Sequence, residues 1–450
     1  MSRAPRFSED VRKLVHVAFG SCAVLLRFLT WWEAAVLAGA ALAFNLYALP
    51  RIAGPRLYRP DEAAHRFASG ITLYPLVILL LLLAVPDRRD IVAAAWGVLA
   101  FGDGMATVAG RRIVSPRIPW NRDKSVAGSA AFVLFGGAAA AALCWWCRPV
   151  IVPPPYVWFS VAMPFVAAAA AAAVETIPIT LNDNLSVPAT AAAVLWWTSL
   201  INEDLVADLV GTGAGRLVAA IAANVAVAAA GYFARTVTIP GASCGALLGV
   251  TILLTTGWGG WGLLLATFGL AVLTSRVGLR RKTELGIAEE RDGRRGAGNA
   301  FANTGIAAAA AVLAATSYAA GPARLACVAA LAAGGSDTVA SEIGKAWGRR
   351  TFLVPTLRRV AAGTSGAISI EGTAAGLLGA LVLGAIGVAA GLVPGRMLLA
   401  VVAGATIGAF AESLLGATLE ERGILNNDVL NFLNTAIAAG ASICIAGMLA

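Results

Sequence analysis

Charge is scarce in this chain: 13% of its 450 residues are Asp, Glu, Lys or Arg, against about a quarter in soluble globular proteins. Histidine is scarcer still, His16 and His65 being the only two, which argues against a histidine-built zinc site. The six cysteines, Cys22, Cys144, Cys147, Cys244, Cys327 and Cys444, fall mostly in apolar stretches. Cys144 and Cys147 form a CxxC, but within Cys-Trp-Trp-Cys at an expected helix end they read as small packing residues. No Walker P-loop and no kinase-type glycine-rich loop is present, so a soluble nucleotide kinase of the familiar kinds is excluded. Residues 1–13 are polar, with no apolar core or cleavage pattern, and no signal peptide is expected.

What fills the chain is apolar sequence: 59% hydrophobic residues and a mean hydropathy of +0.78. The runs are long and rich in Ala, Leu, Val and Gly, which fits spanning helices and not the short alternating segments of a membrane barrel. With about 20 residues per crossing, spans are expected at roughly 14–31, 33–50, 70–86, 91–110, 126–146, 156–176 and 185–201. A further eight are expected at roughly 208–232, 239–256, 259–275, 301–320, 323–344, 368–392, 397–416 and 429–449. The reading is an all-α polytopic membrane protein with about fifteen transmembrane helices. The net charge of +9 is no nucleic-acid signature, because Arg and Lys gather in short loops after the second, fourth, tenth and twelfth spans. Counting spans puts those loops on one side, the cytoplasmic one under the positive-inside rule, and a bacterial inner membrane is expected. Nothing in the sequence sets an oligomeric state.

Three polar patterns occur twice, in the same order. Asp103-x-x-Ala106-x-x-x-Gly110 returns as Asp337-x-x-Ala340-x-x-x-Gly344. Ser125-x-x-Gly128-Ser129 returns as Ser369-x-x-Gly372-Thr373. Glu175-Thr176 with Asn182-Asp183-Asn184 returns as Glu412-Ser413 with Asn426-Asn427-Asp428. The offsets are 234, 244 and 237 residues, which suits a parallel duplication of a seven-helix unit with the eighth span as a linker. The boundary is placed between domains 1–205 and 206–450.

A carboxylate inside or at the end of a span is costly and marks a functional-site candidate. A single one usually caps a helix or pairs with a loop arginine; four at matched positions, Asp103, Glu175, Asp337 and Glu412, point to chemistry. All four are expected near the cytoplasmic helix ends. Phosphoryl transfer from a nucleotide fits best, with Asp103, Asp183 and Asn184 in one half and Asp337 and Asn427 in the other as hard oxygen donors for Mg2+. The basic loops supply Arg111, Arg112 and Lys124, then Lys345, Arg349 and Arg350, to clamp phosphate charge, although topology alone also makes such loops basic. Gly104, Gly110, Gly128, Gly344 and Gly372 would permit close backbone approach. Ser125, Ser129, Ser369 and Thr373, at helix N-termini, would bring amide groups to a phosphate.

These residues carry a resemblance. Glu9-x-x-Arg12-Lys13-x-x-His16, Gly102-Asp103-Gly104, Trp120-Asn121-x-x-Lys124-Ser125 and Asp183-Asn184-Leu185-x-Val187-Pro188 resemble phytol kinase and dolichol kinase, which are CTP-dependent membrane kinases of isoprenoid alcohols. Lys124-Ser125-x-x-Gly128 is also similar to an element of CDP-diacylglycerol synthases. From residue 240 on, Lys282, Asn299-Ala300-Phe301-Ala302-Asn303, Gly334-Gly335-Ser336-Asp337, Gly363-Thr364-x-Gly366 and Glu412-Ser413-Leu414-Leu415-Gly416 resemble the phytyl-phosphate kinase family. That family commonly has Asp at the place of Glu412. The resemblance implies a bifunctional lipid kinase that turns an isoprenoid alcohol drawn from the bilayer into a monophosphate and then a diphosphate. It implies CTP as donor, and Lys282, Asn299 and Asn303 as ligands of the substrate phosphate. A cytidylyltransferase making a CDP-lipid is the competing enzymatic reading. A secondary transporter built on parallel repeats is the competing non-enzymatic one, although transport sites sit at mid-membrane.

Overall fold

A computed structural model describes residues 17–53, 69–211, 213–284 and 294–449. The Glu9–His16 motif and the loop arginines Arg56, Arg59 and Arg66 lie outside the described residues. The structure is 79% helical with almost no sheet, and the protein is an integral membrane protein. Among the described residues, ten helices are by themselves long and apolar enough to cross a bilayer. Fifteen crossings are therefore not established as a count. Several expected spans are shorter helices, Val17–Arg27, Ile71–Ala84 and Asp183–Ser199 among them. Two others form one run, Ile239–Arg276, which breaks at Gly257 (φ 70°). At 1.5 Å per residue its 38 residues would extend about 57 Å, close to twice the hydrocarbon thickness, so the break divides it into two membrane-crossing lengths.

The chain forms two compact units, Met1–Ser199 and Leu200–Ala450. In the first, the helical run Arg89–Arg112 is buried over most of its length and packs against Val126–Val150 and Asp183–Ser199. In the second, Ala320–Trp347 is the central helix, buried at every residue from Leu325 to Ser336, with Ile239–Arg276, Ala297–Thr316, Ile370–Ala389, Leu398–Leu415 and Asn427–Leu449 around it. Small residues make this possible. With no water to expel between helices in lipid, association depends on close van der Waals contact, which Ala and Gly permit.

Each central helix is followed by a short antiparallel hairpin, which the basic loops alone did not foreshadow. In the first unit Arg117–Ile118 pairs with Asn121–Ser125; in the second Thr351–Leu353 pairs with Ala367–Ser369. Each second strand ends on the serine that caps the next helix. Ser125 (φ −122°, ψ 152°) accepts a hydrogen bond from Gly128 N at 3.2 Å, and Ser369 (φ −121°, ψ 152°) accepts one from Gly372 N at 3.0 Å. An extended serine whose hydroxyl takes an amide of the first turn is a strong helix start.

Candidate functional site

The paired glycines explain the first two sequence patterns. A Cβ on Gly128 would lie 3.2 Å from the carbonyl oxygen of Ala106, and one on Gly372 would lie 2.6 Å from that of Ala340. Gly110 and Gly344 face them across the same crossing, beside Ser125 and Ser369. The central helix and the capped helix thus touch through Ala and Gly backbone, so these glycines have a packing role before any ligand is considered. Asp103 and Asp337 project beside this crossing. Each is nine or ten residues before its helix ends at Arg112 or Trp347, about 14–15 Å along the axis. They are deeper than the helix-end position expected from sequence.

In the first unit a cavity of about 510 Å³ is lined by Asp103, Gly110, Arg111, Lys124, Ser125, Gly128, Ser129, Glu175 and Asp183. Lys124 reaches Glu175 Oε1 at 2.5 Å and Asp183 Oδ2 at 3.5 Å. Burial disfavours its charged form, but Glu175 and Asp183 outweigh that and raise its pKa above the ordinary lysine value. The hairpin places this lysine, and Trp120 Nε1 bonds Thr176 Oγ1 at 3.1 Å beside it. Gly104, Arg112 and Asn184 do not line the cavity. Gly104 is buried near Val17, Arg112 is exposed, and the Asn184 backbone N–H donates to Asn182 Oδ1. The amides expected to hold phosphate are committed elsewhere: Val126 N to Pro116 O, Ala127 N to Ser115 Oγ and Gly128 N to Ser125 Oγ. A phosphate there would have to be met by side chains. Arg117 and Asp123, not singled out from sequence, also reach the cavity.

In the second unit a cavity of about 420 Å³ gathers Asn299, Asn303, Asp337, Gly344, Lys345, Ser369, Gly372, Thr373, Glu412 and Asn427. Asp337 and Glu412 line the same cavity, and their carboxyl groups interact with one another. Two carboxyls so placed need a shared proton or a cation. Among the described residues, Asn299 Oδ1, Asn303 Oδ1 and Glu412 Oε2 are buried with no hydrogen-bond partner. Hard oxygen acceptors around a carboxylate pair suit Mg2+, which usually takes one or two protein carboxylates and completes its shell with water and phosphate. Among the described residues there is no group of three or more His, Cys, Asp or Glu that would hold a metal alone.

Three of the basic residues expected at the site lie outside this cavity. Lys282 does not reach the cavity. It is 1% exposed, bonds Ser275 O at 2.8 Å and pairs with Glu342, so its charge is met inside the protein. Arg349 and Arg350 are exposed just past the end of the central helix and do not line the cavity. Arg295 does, pinned by its backbone between Thr236 and Thr238. Asn431 lines it as well, four residues after Asn427, just as Asn303 follows Asn299. Polar residues four apart in an Ala-rich helix share a face, and that spacing was legible in the sequence. The loop Ala362–Gly366 covers the polar end, with Gly366 (φ 68°) so close that a Cβ would lie 2.2 Å from Ala417 N.

The family model described as Integral membrane protein DUF92 matches residues 222–439, a stretch that contains the whole second cavity. An uncharacterized membrane protein of Synechocystis, sll0875, is 39% identical over 206 residues, 44% of this chain and 78% of its own. Protein VTE6 of Arabidopsis thaliana is 35% identical over 202 residues, 43% of this chain and 60% of its own. Probable phytol kinase 2 of Glycine max is 30% identical over 204 residues, 43% of this chain and 67% of its own. Each match thus spans less than half of this chain. No solved structure matches it. The chain belongs to the family of integral membrane proteins described as DUF92.

Proposed function

We propose that the protein is a membrane-embedded isoprenoid kinase with two sites. The first unit phosphorylates an isoprenoid alcohol, and the second adds a phosphate to the resulting monophosphate. Relatives named as phytol kinases support the reaction class. The observation that carries the reading is the Asp337–Glu412 pair, set among unpaired buried oxygens with Lys345 and Arg295 on the same cavity. In each unit the acceptor oxygen of the lipid attacks the γ-phosphorus of the donor, the bond to the β-phosphate oxygen breaks, and the nucleoside diphosphate leaves. For the alcohol, Asp103 or Glu175 takes the hydroxyl proton; Lys124 holds Glu175 in place and offers positive charge to the transferring group. For the monophosphate, Lys345 and Arg295 receive the anionic acceptor while Asp337 and Glu412 face the donor. Mg2+, held by Asp337, Glu412 and Asn427, would offset phosphate charge.

CTP is proposed as donor on the sequence resemblance, and both sites are placed on the cytoplasmic face of a bacterial inner membrane, where nucleotide is available. The test uses proteoliposomes containing the full chain, given CTP labelled at its γ-phosphate with Mg2+ and either phytol or phytyl monophosphate. Label is expected in the monophosphate from the first and in the diphosphate from the second. Formation of a CDP-lipid from CTP labelled at its α-phosphate would replace the kinase reading with a cytidylyltransferase.

A further inference from the structure

The second cavity is not a purely polar chamber. From its charged end it continues between two helices, lined by Gly376, Leu377 and Ala380 of Ile370–Ala389 and by Ala405, Ala409 and Phe410 of Leu398–Leu415. Ala380 and Ala405 are each 1% exposed and close the inner end. Leu377 and Phe410, by contrast, are 50% and 41% exposed, so the cavity reaches the outer surface of the helices there. The neighbouring surface is apolar as well, with Leu378, Leu381, Ile407 and Leu414 all exposed. In an integral membrane protein such a surface at mid-helix faces lipid.

We propose that this groove takes the hydrocarbon chain of a phosphorylated lipid, which enters sideways from the bilayer past Leu377 and Phe410. The phosphate end comes to rest at Lys345, a placement that rests on the kinase reading above. Charge and polarity order the occupant. Lys345, Ser369 and Thr373 meet an anionic head; beyond Gly376 the lining is apolar apart from the hydroxyls of Ser336 and Thr406, which donate to Ala333 O and Val402 O of their own helices. Small side chains at Gly376, Ala380, Ala405 and Ala409 leave room between the two helices for a hydrocarbon chain. Length is limited too. Eight residues from Gly372 to Ala380 cover about 12 Å of helix, so the groove holds only the part of the chain next to the phosphate. A longer chain must leave through the side opening into lipid. Selection therefore acts on the first part of the chain and little on total length.

The test uses an isoprenyl monophosphate bearing a photoactivatable diazirine near its phosphate end, added to proteoliposomes of the full chain, with labelled peptides identified by mass spectrometry. Label is expected on Gly376–Ala380 and Ala405–Phe410, and it should be displaced by unlabelled isoprenyl monophosphate. Ala380→Leu and Ala405→Leu, which fill the inner end, should each cut it by about tenfold. Phe410→Ala, which opens the rim without crowding the core, should keep the label within the groove. Label spread over the outer helix surfaces, or unchanged by both leucine substitutions in folded protein, overturns the proposal. Phosphorylation followed in the same samples separates the two claims. Groove labelling without turnover retains the chain site and removes the kinase, whereas turnover with label elsewhere does the reverse.

Discussion

The Lys282–Glu342 pair is a demanding test of how the second unit is held together. Both side chains are 2% exposed, and the pair ties Leu279–Glu284 to the central helix Ala320–Trp347. Glu342→Gln removes the one carboxylate that pairs with Lys282 among the described residues and leaves its ammonium group in a buried site with Ser275 O. Breaking a buried pair from one side costs about 3–5 kcal/mol, a shift of about 10²–10⁴ in the folded-to-unfolded ratio. Lys282→Met should cost less, because Lys345 Nζ already lies 3.6 Å from the other oxygen of Glu342 and can take over part of the neutralisation. The double variant Lys282→Met with Glu342→Gln removes both charges from the interior and should recover most of the stability, since an apolar replacement of a buried pair is often neutral or better. Thermal unfolding of detergent-solubilised protein, followed by size-exclusion fluorescence, gives the order: Glu342→Gln least stable, Lys282→Met intermediate, the double variant near the original. A Glu342→Gln protein as stable as the original, or a double variant no better than that single, refutes the pairing as the reason both residues are there.

Gly372→Ala is expected to destabilise the second unit by about 1–3 kcal/mol, because the new Cβ meets a carbonyl oxygen that cannot swing away. Gly128→Ala, with 3.2 Å of clearance, should cost less in the same unfolding assay. Lys345→Ala should raise KM for the phosphorylated substrate or the donor by tenfold or more, the loss of a charged contact worth about 1.5–3 kcal/mol, while Arg349→Ala stays near the original in steady-state assays. Asp337→Asn keeps the shape but removes a negative charge that would hold a divalent cation. Titration of activity with Mg2+ should show a higher requirement together with a fall in rate of about 10²–10³.

The membrane class was legible because composition and run length set it, and the serine caps were legible because Ser-x-x-Gly states its own local geometry. What pairs over distance was not. The strand Thr351–Leu353 meets Ala367–Ser369 across a loop whose basic residues advertise only a membrane side. Lys282 was expected as a phosphate ligand because it belongs to the stretch that resembles the phytyl-phosphate kinase family. Only the fold shows that Glu342, 60 residues away, already takes its charge. The glycines had two readings, room for a phosphate and room for a neighbouring helix, and the contacts with Ala106 and Ala340 give the second a physical basis. Arg349 and Arg350 were chosen for being in a charge run, whereas Arg295, one residue of a Gly-Arg-Arg-Gly stretch, is brought to the cavity by backbone bonds to Thr236 and Thr238. Asn431, four residues after Asn427 as Asn303 is after Asn299, was the unused signal.

The most direct measurement gives proteoliposomes of the Asp103→Asn and Asp337→Asn proteins an isoprenoid alcohol with γ-labelled nucleotide and, separately, the monophosphate. Two independent sites require that Asp103→Asn fail on the alcohol yet convert supplied monophosphate to diphosphate, and that Asp337→Asn accumulate monophosphate. Loss of both conversions from either single substitution in folded protein would contradict two sites and favour one composite site.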